Sequence, residues 1–189
     1  MHGAATSHAP LLQRLADRSV TICGKNGVTY VVRPISLNDA PSLMRGYDAM
    51  SDQAKWFRML NALPHLSPEA ARRFCSPDPK RDICLVIEGQ AALAGEILGG
   101  ARIAGEPDGR TAEFSVSLRP EAQGLGLGHR VLDTALRAAR EMGYEKVWGL
   151  IAVANTTMLA LARRIGFDLQ PDPWDHTLVR AELVLDRFR

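Results

Sequence analysis

The chain has 189 residues, 46% of them hydrophobic and 23% charged, with a formal net charge of +2. That length suits one domain with a core of its own, and the composition is that of an ordinary globular protein. So nearly balanced a charge gives no case for a nucleic-acid-binding surface.

Residues 1–18 are small and polar with one weak apolar cluster, Leu11, Leu12 and Leu15. They read as a poorly ordered segment ahead of a single domain at 19–189. They show no basic stretch leading into an apolar core, so no signal peptide is read. Val20–Ile22 and Val28–Val32 flank an Asn26-Gly27 pair, a hairpin signal, and Pro34 stops the second strand. The period then turns helical. Ser36 to Asp39 resembles a helix cap, with Leu43, Met44, Tyr47 and Met50 on one face. Residues 51–60 read as a second helix, and Ser67-Pro68-Glu69 opens a third.

From Asp82 the period becomes two. Strands are expected at 83–87, 97–103 and 112–118, forming an antiparallel meander, with Glu106-Pro107-Asp108-Gly109 as a turn. An amphipathic helix follows at 131–142, closed by Gly143. A buried strand comes at 147–153, a helix at 156–165 ended by Gly166, a turn at 168–173 and a last strand at 177–185. The longest apolar-looking run, 91–104, contains Glu96 and Arg102 and is too short to span a bilayer. A cytoplasmic protein with no membrane partner is expected. The fold class is α/β, a mixed central sheet with helices on both faces.

Cys23, Cys75 and Cys84 are odd in number and form no Cys-x-x-Cys pair, so they read as unpaired thiols in a reducing compartment. The five histidines have no ligand spacing, and no metal is expected.

The stretch Gln123-Gly124-Leu125-Gly126-Leu127-Gly128-His129 joins a strand to a helix. A helix start offers unpaired N–H donors and the positive end of the dipole, and glycines let an anion approach that backbone. The alternative is a tight turn that happens to be rich in glycine. A nucleoside-triphosphate loop would need Gly-Lys-Ser/Thr, but His129 and Arg130 follow Gly128. The dinucleotide pattern would need glycine at position 129, and an acid ending the next strand, which has none.

What remains, Gln-x-x-Gly-x-Gly, resembles the acetyl-CoA pyrophosphate loop of the GNAT acyltransferase superfamily, and the order of elements is similar to that fold. The resemblance implies acetyl-CoA as co-substrate, held by Gln123 to His129. It implies that the main chain of Val116, Ser117 and Leu118 pairs with the pantetheine arm and polarises the thioester. It also assigns Asn155 to the pantetheine, although Asn155 at a strand-to-helix junction serves equally as an N-cap. Gly166-Phe167 is a further landmark. The tyrosine that commonly protonates the departing thiolate in these enzymes is Ala162 here; Arg163 and Arg164 read as a solvated helix face.

Within the superfamily, Val32-Arg33-Pro34-Ile35, Trp56-Phe57-Arg58, Gly99-Gly100-Ala101-Arg102, Ala112-Glu113-Phe114-Ser115-Val116 and Met158 to Arg163 look most like bacterial Pat-like protein lysine acetyltransferase domains. That branch implies a protein lysine acceptor, with AMP-forming acyl-CoA synthetases as substrates, and Glu113 as general base. Glu96 is the reserve candidate, with His176 behind it. The readings that compete are a GNAT enzyme for a small amine, such as a polyamine or antibiotic, and a catalytically silent acyl-CoA-binding module.

Overall fold

A computed structural model describes residues 19–59, 65–90 and 93–188; the N-terminal segment 1–18 and its expected poor order lie outside the described residues. In chain order the elements are β1 (Val20–Cys23), β2 (Thr29–Pro34), α1 (Ala40–Asp48), α2 (Asp52–Met59), α3 (Pro68–Phe74), β3 (Asp82–Glu88), β4 (Ile97–Gly105), β5 (Thr111–Leu118), α4 (Leu127–Glu141), β6 (Lys146–Ala152), α5 (Thr156–Ile165), β7 (Asp168–Pro171) and β8 (Leu178–Val184). The eight strands form one sheet in the order β1-β2-β3-β4-β5-β6-β8-β7. Every neighbouring pair is antiparallel except β5 and β6. The expected mixed, mostly antiparallel sheet flanked by helices is therefore present.

Local chemistry accounts for the turns. Asn26 donates from its side chain to Tyr30 Oη (2.9 Å), and Gly27 takes a φ of 77° in the hairpin. Beyond Pro34 the chain turns into α1 through a capping box between Ser36 and Asp39. Burial alone would raise the Asp39 carboxyl, but the forked pairing with Arg33 (2.7 and 2.8 Å) and the Ser36 N–H outweigh it and hold it low. That pair pins the start of the helical layer to β2.

Two apolar clusters cover the two sheet faces. On one, Val131, Leu132, Ala135, Leu136 and Ala139 of α4 pack with Ile103, Phe114, Val147 and Leu183, following the stripe expected from sequence. On the other, Tyr47 of α1 and Ala71 of α3 pack with Leu66 and Cys75.

The expected turn at 168–173 is instead a short edge strand. Asp168–Pro171 pairs with Val179–Glu182 of β8. Its Asp and Pro are poor strand formers, but an edge position tolerates both, because proline's missing donor can face away from the ladder. The first helix turn after the glycine loop also starts earlier than expected, at Leu127.

The parallel pairing of β5 and β6 extends only over Thr111–Glu113 against Lys146–Trp148. Beyond it the strands part. The Phe114 ring occupies the space where a side chain on Gly149 would stand, and a Cβ there would meet ring carbons at 2.8 and 2.9 Å. Phe167 backs that ring at a centroid distance of 4.6 Å. Gly149→Ala should therefore destabilise the fold by about 1–3 kcal/mol through overpacking, read as a lower urea midpoint; an unchanged midpoint would mean the Phe114 ring yields to the added methyl.

Candidate active site

The opening between β5 and β6 leads to the glycine loop. After Leu118 a single turn, Pro120–Ala122, brings Gln123 back so that its amide donates to Leu118 O (3.2 Å). Gly124 and Gly126 then adopt φ values of 73° and 77°, a left-handed backbone that glycine enters without penalty. Gly126 is the N-cap of α4, and no side chain caps the helix. The first turn of α4 therefore presents uncapped main-chain donors from Leu127, Gly128 and His129, with no acidic residue among them. This cradle fits a pyrophosphate.

Gly128 has a different task from the other two glycines. It is buried inside the helix, where a Cβ would lie 3.3 Å from the Leu118 side chain and 3.6 Å from that of Leu161. It brings α4 close to the end of β5 and to α5.

The free edge of β5 is specific as well. Arg119 N–H donates to Leu98 O (2.8 Å) across the β4 ladder, so by alternation Ser117 also turns its main chain to β4. Val116 and Leu118 turn theirs into the opening. Of the three residues expected to meet the pantetheine arm, these two have main-chain groups on the open side. Asn155, across the gap, caps α5 by accepting from Met158 N–H at 3.1 Å; its amide nitrogen has no partner among the described residues. Cap and ligand roles are thus compatible. Ala162 is fully buried in α5, and Arg163 and Arg164 are exposed.

Glu113 is exposed and shares its sheet face with Ser115 and Ser117, while Ala112 and Phe114 point into the core. Its cross-strand neighbours are Ala104 on β4 and Trp148 on β6. The carboxylate has no hydrogen bond or ion pair among the described residues. Partial loss of hydration and repulsion from Glu106 raise its pKa above the ordinary value, with Arg102 opposing. The reserve, Glu96, is the opposite case. Hydrogen bonds from Arg45 and from Arg119 (2.7 Å), with a third from Ser42 Oγ (2.9 Å), hold its pKa at about 2. So committed a carboxylate makes a poor base, and Glu96 instead ties α1 to the end of β5. His176 lies in the exposed turn between β7 and β8.

Beside this face a cavity of about 80 Å³ lies between α1, α3 and the sheet, lined mainly by apolar side chains such as Leu43, Tyr47 and Leu66, with Ser117, Arg102 and Arg119 at its wall. Further along the sheet, Trp148, Leu150, Arg180 and Glu182 are part-exposed, and the Arg180 guanidinium stands 4.3 Å above the Trp148 ring. Among the described residues no three metal-ligating side chains converge, and no helix is long and apolar enough to cross a membrane.

Residues 49–167 match the sequence model of the acetyltransferase (GNAT) family. An acetyltransferase of Pseudomonas aeruginosa is 26% identical over 165 residues, spanning 85% of this chain and 86% of that protein. Among solved structures, the GNAT domain of S. lividans PAT superposes with a TM-score of 0.79 at 24% identity, covering 88% of this chain and 96% of that one. The spermidine N-acetyltransferase from Vibrio cholerae, in complex with CoA and spermine, gives a TM-score of 0.64 at 17% identity, covering 84% and 96%. At those identities the two structures speak for the fold alone.

Proposed function

The chain belongs to the acetyltransferase (GNAT) family, and so is an acetyl-CoA-dependent N-acetyltransferase; from that premise we propose that its acceptor is a lysine ε-amine of a protein, with AMP-forming acyl-CoA synthetases as the first substrate class to try. The observation that carries this reading is Glu113, an unpartnered carboxylate of raised pKa at the last β5 position paired with β6, just before the strands part. A lysine amine has a pKa of about 10.4, so at neutral pH roughly one molecule in a few thousand is nucleophilic. Such an acceptor needs a base. The part-exposed face around Trp148 and Arg180 supports a macromolecular acceptor, and the apolar cavity suits an aliphatic arm.

In this reading acetyl-CoA, when bound, supplies the acetyl group as a thioester. The main-chain donors of Gly124 to His129 hold its pyrophosphate, and Val116, Leu118 and Asn155 hold the pantetheine arm. An N–H from the open edge of β5 faces the thioester oxygen, where negative charge develops. The lysine nitrogen attacks directly, its C–N bond forming as the C–S bond breaks. Glu113 lies three positions before Val116 and five before Leu118, about 10–17 Å along the strand, beyond the reach of one side chain. The amine proton therefore travels to Glu113 through water. A thiol has a pKa of about 8.5, so the thiolate leaves without an acid at position 162.

Thiol release from acetyl-CoA, followed with lysine-bearing proteins and with polyamines and aminoglycosides, tests the proposal. Turnover with the protein acceptor supports it; turnover confined to small amines would replace it with the small-molecule reading, which uses the same base and cavity. Binding without turnover on any acceptor would leave a silent acyl-CoA module.

Direct transfer also predicts that no thiol is needed. Cys23 is exposed, Cys84 half-buried, and burial pushes the Cys75 thiol up to about 11, far from a reactive thiolate. Cys23→Ser, Cys84→Ser and Cys75→Ala variants should keep activity within a few-fold, with intersecting initial-velocity lines. A folded single variant without turnover would reveal a covalent thiol step.

A further inference from the structure

We propose that Lys25, at the turn of the β1–β2 hairpin, is a second contact for the CoA pyrophosphate, reaching it from the side opposite the β5–β6 opening. The inference rests on the reading of the glycine loop as the pyrophosphate cradle and adds to it a residue from outside the span matched by the family model, residues 49–167.

Three observations lead to Lys25. The first is a tether. Lys25 N–H donates to Leu125 O in the middle of the glycine loop (2.9 Å), and the turn itself is closed by Gly24 N–H to Val28 O (2.9 Å) and Gly27 N–H to Gly24 O (3.0 Å). Ile22 and Tyr30, one on each hairpin strand, are buried in the same core as α4. Hairpin and loop are thus held at fixed separation by both backbone bonding and packing.

The second is the course of the side chain. Lys25 Cγ and Cε lie 3.6 Å, and Cδ 3.9 Å, from where a Cβ on Gly126 would stand. The arm therefore runs along Gly126, the N-cap of α4, and its ammonium is one bond beyond Cε. The third is charge. Lys25 is exposed and has no ion-pair partner among the described residues. An ammonium beside the positive end of a fifteen-residue helix is a like-charge placement that an anion between the two converts into attraction. A lysine serves phosphate as such a point charge.

The test is calorimetric titration of CoA, dephospho-CoA and pantetheine into wild type, Lys25→Ala and Lys25→Arg. Dephospho-CoA lacks the 3′-phosphate but keeps the pyrophosphate, and pantetheine lacks both. Lys25→Ala should weaken CoA and dephospho-CoA alike, by about ten-fold for one partly solvated charge-assisted contact. It should leave pantetheine binding and the ligand-free melting temperature unchanged, and reduce the salt dependence of CoA binding. Lys25→Arg should retain most of the affinity. Loss for CoA with none for dephospho-CoA would move Lys25 to the 3′-phosphate and overturn the proposal. So would equal loss for all three ligands, or no loss for any. A wild-type protein that binds pantetheine as tightly as CoA would instead overturn the reading of the glycine loop itself.

Discussion

Glu113→Gln is expected to slow acetyl transfer to lysine by roughly 10²–10⁴-fold, the usual worth of a positioned base, while acetyl-CoA affinity stays nearly unchanged. Glutamine keeps the shape and hydration of the site but cannot accept a proton. The carboxylate lies at the last position where β5 pairs with β6 and away from the glycine loop, so the substitution touches no phosphate contact. The pH profile carries an independent signature. Glu113 must be ionised to act, and partial desolvation with Glu106 repulsion holds its pKa above the ordinary value. Turnover should therefore rise with pH as that carboxyl loses its proton, ahead of the rise caused by the lysine amine. In Glu113→Gln the first rise disappears and only the amine limb remains. Turnover within a few-fold of wild type would mean that the base lies elsewhere.

Gly126→Glu should abolish CoA binding altogether. Gly126 has a φ of 77°, so any L-residue there bears left-handed strain of about 1–2 kcal/mol. Space is available, however: a Cβ would lie 3.6 Å from Lys25, an ordinary contact. The new carboxylate would sit at the uncapped N-terminus of α4 beside Lys25, where both the helix dipole and the ammonium stabilise it. It would occupy the place of the pyrophosphate, and the compensation should keep the protein folded. CoA at a hundred times its Kd should stabilise wild type by about 2.7 kcal/mol, a shift of several degrees in melting temperature. ATP and NAD should give no shift, and CoA should give none with Gly126→Glu. An unchanged CoA shift in the folded variant would remove the phosphate cradle from the account.

The pattern of residues reached the fold because local and tertiary preferences agree over most of the chain. The stripe from Val131 to Met142, the period-two strands and the Ser36 and Ser67 caps all ask for the elements that form. Agreement fails at Asp168–Pro171, where composition argues for a turn and only pairing with β8 makes a strand. Gly128 reads like the other loop glycines because spacing cannot distinguish a glycine needed for a left-handed turn from one needed for helix packing, and its N–H stays among the proposed donors.

The candidate site was legible where it is contiguous in sequence. Gln123 to His129 and Asn155 carry their own signals. Lys25 does not, because it stands a hundred residues from Leu125 and is joined to it only by hairpin packing. Only the family resemblance ranked Glu113 above Glu96; by position alone they are two glutamates near the meander. Arg45, Arg119 and Ser42 separate them by consuming one carboxylate and leaving the other. The parting of β5 from β6 was likewise invisible, since no local pattern marks Glu113 and Trp148 as the last paired residues.

The most direct test of the central claim is tandem mass spectrometry of an AMP-forming acyl-CoA synthetase incubated with the enzyme and acetyl-CoA, with Glu113→Gln and Gly126→Glu run beside it. Transfer to lysine predicts an added acetyl group on a lysine side chain with wild type, a trace with Glu113→Gln and none with Gly126→Glu. No acetyl-lysine on this or any other protein acceptor, with acetylated polyamine or antibiotic formed under the same conditions, would contradict it.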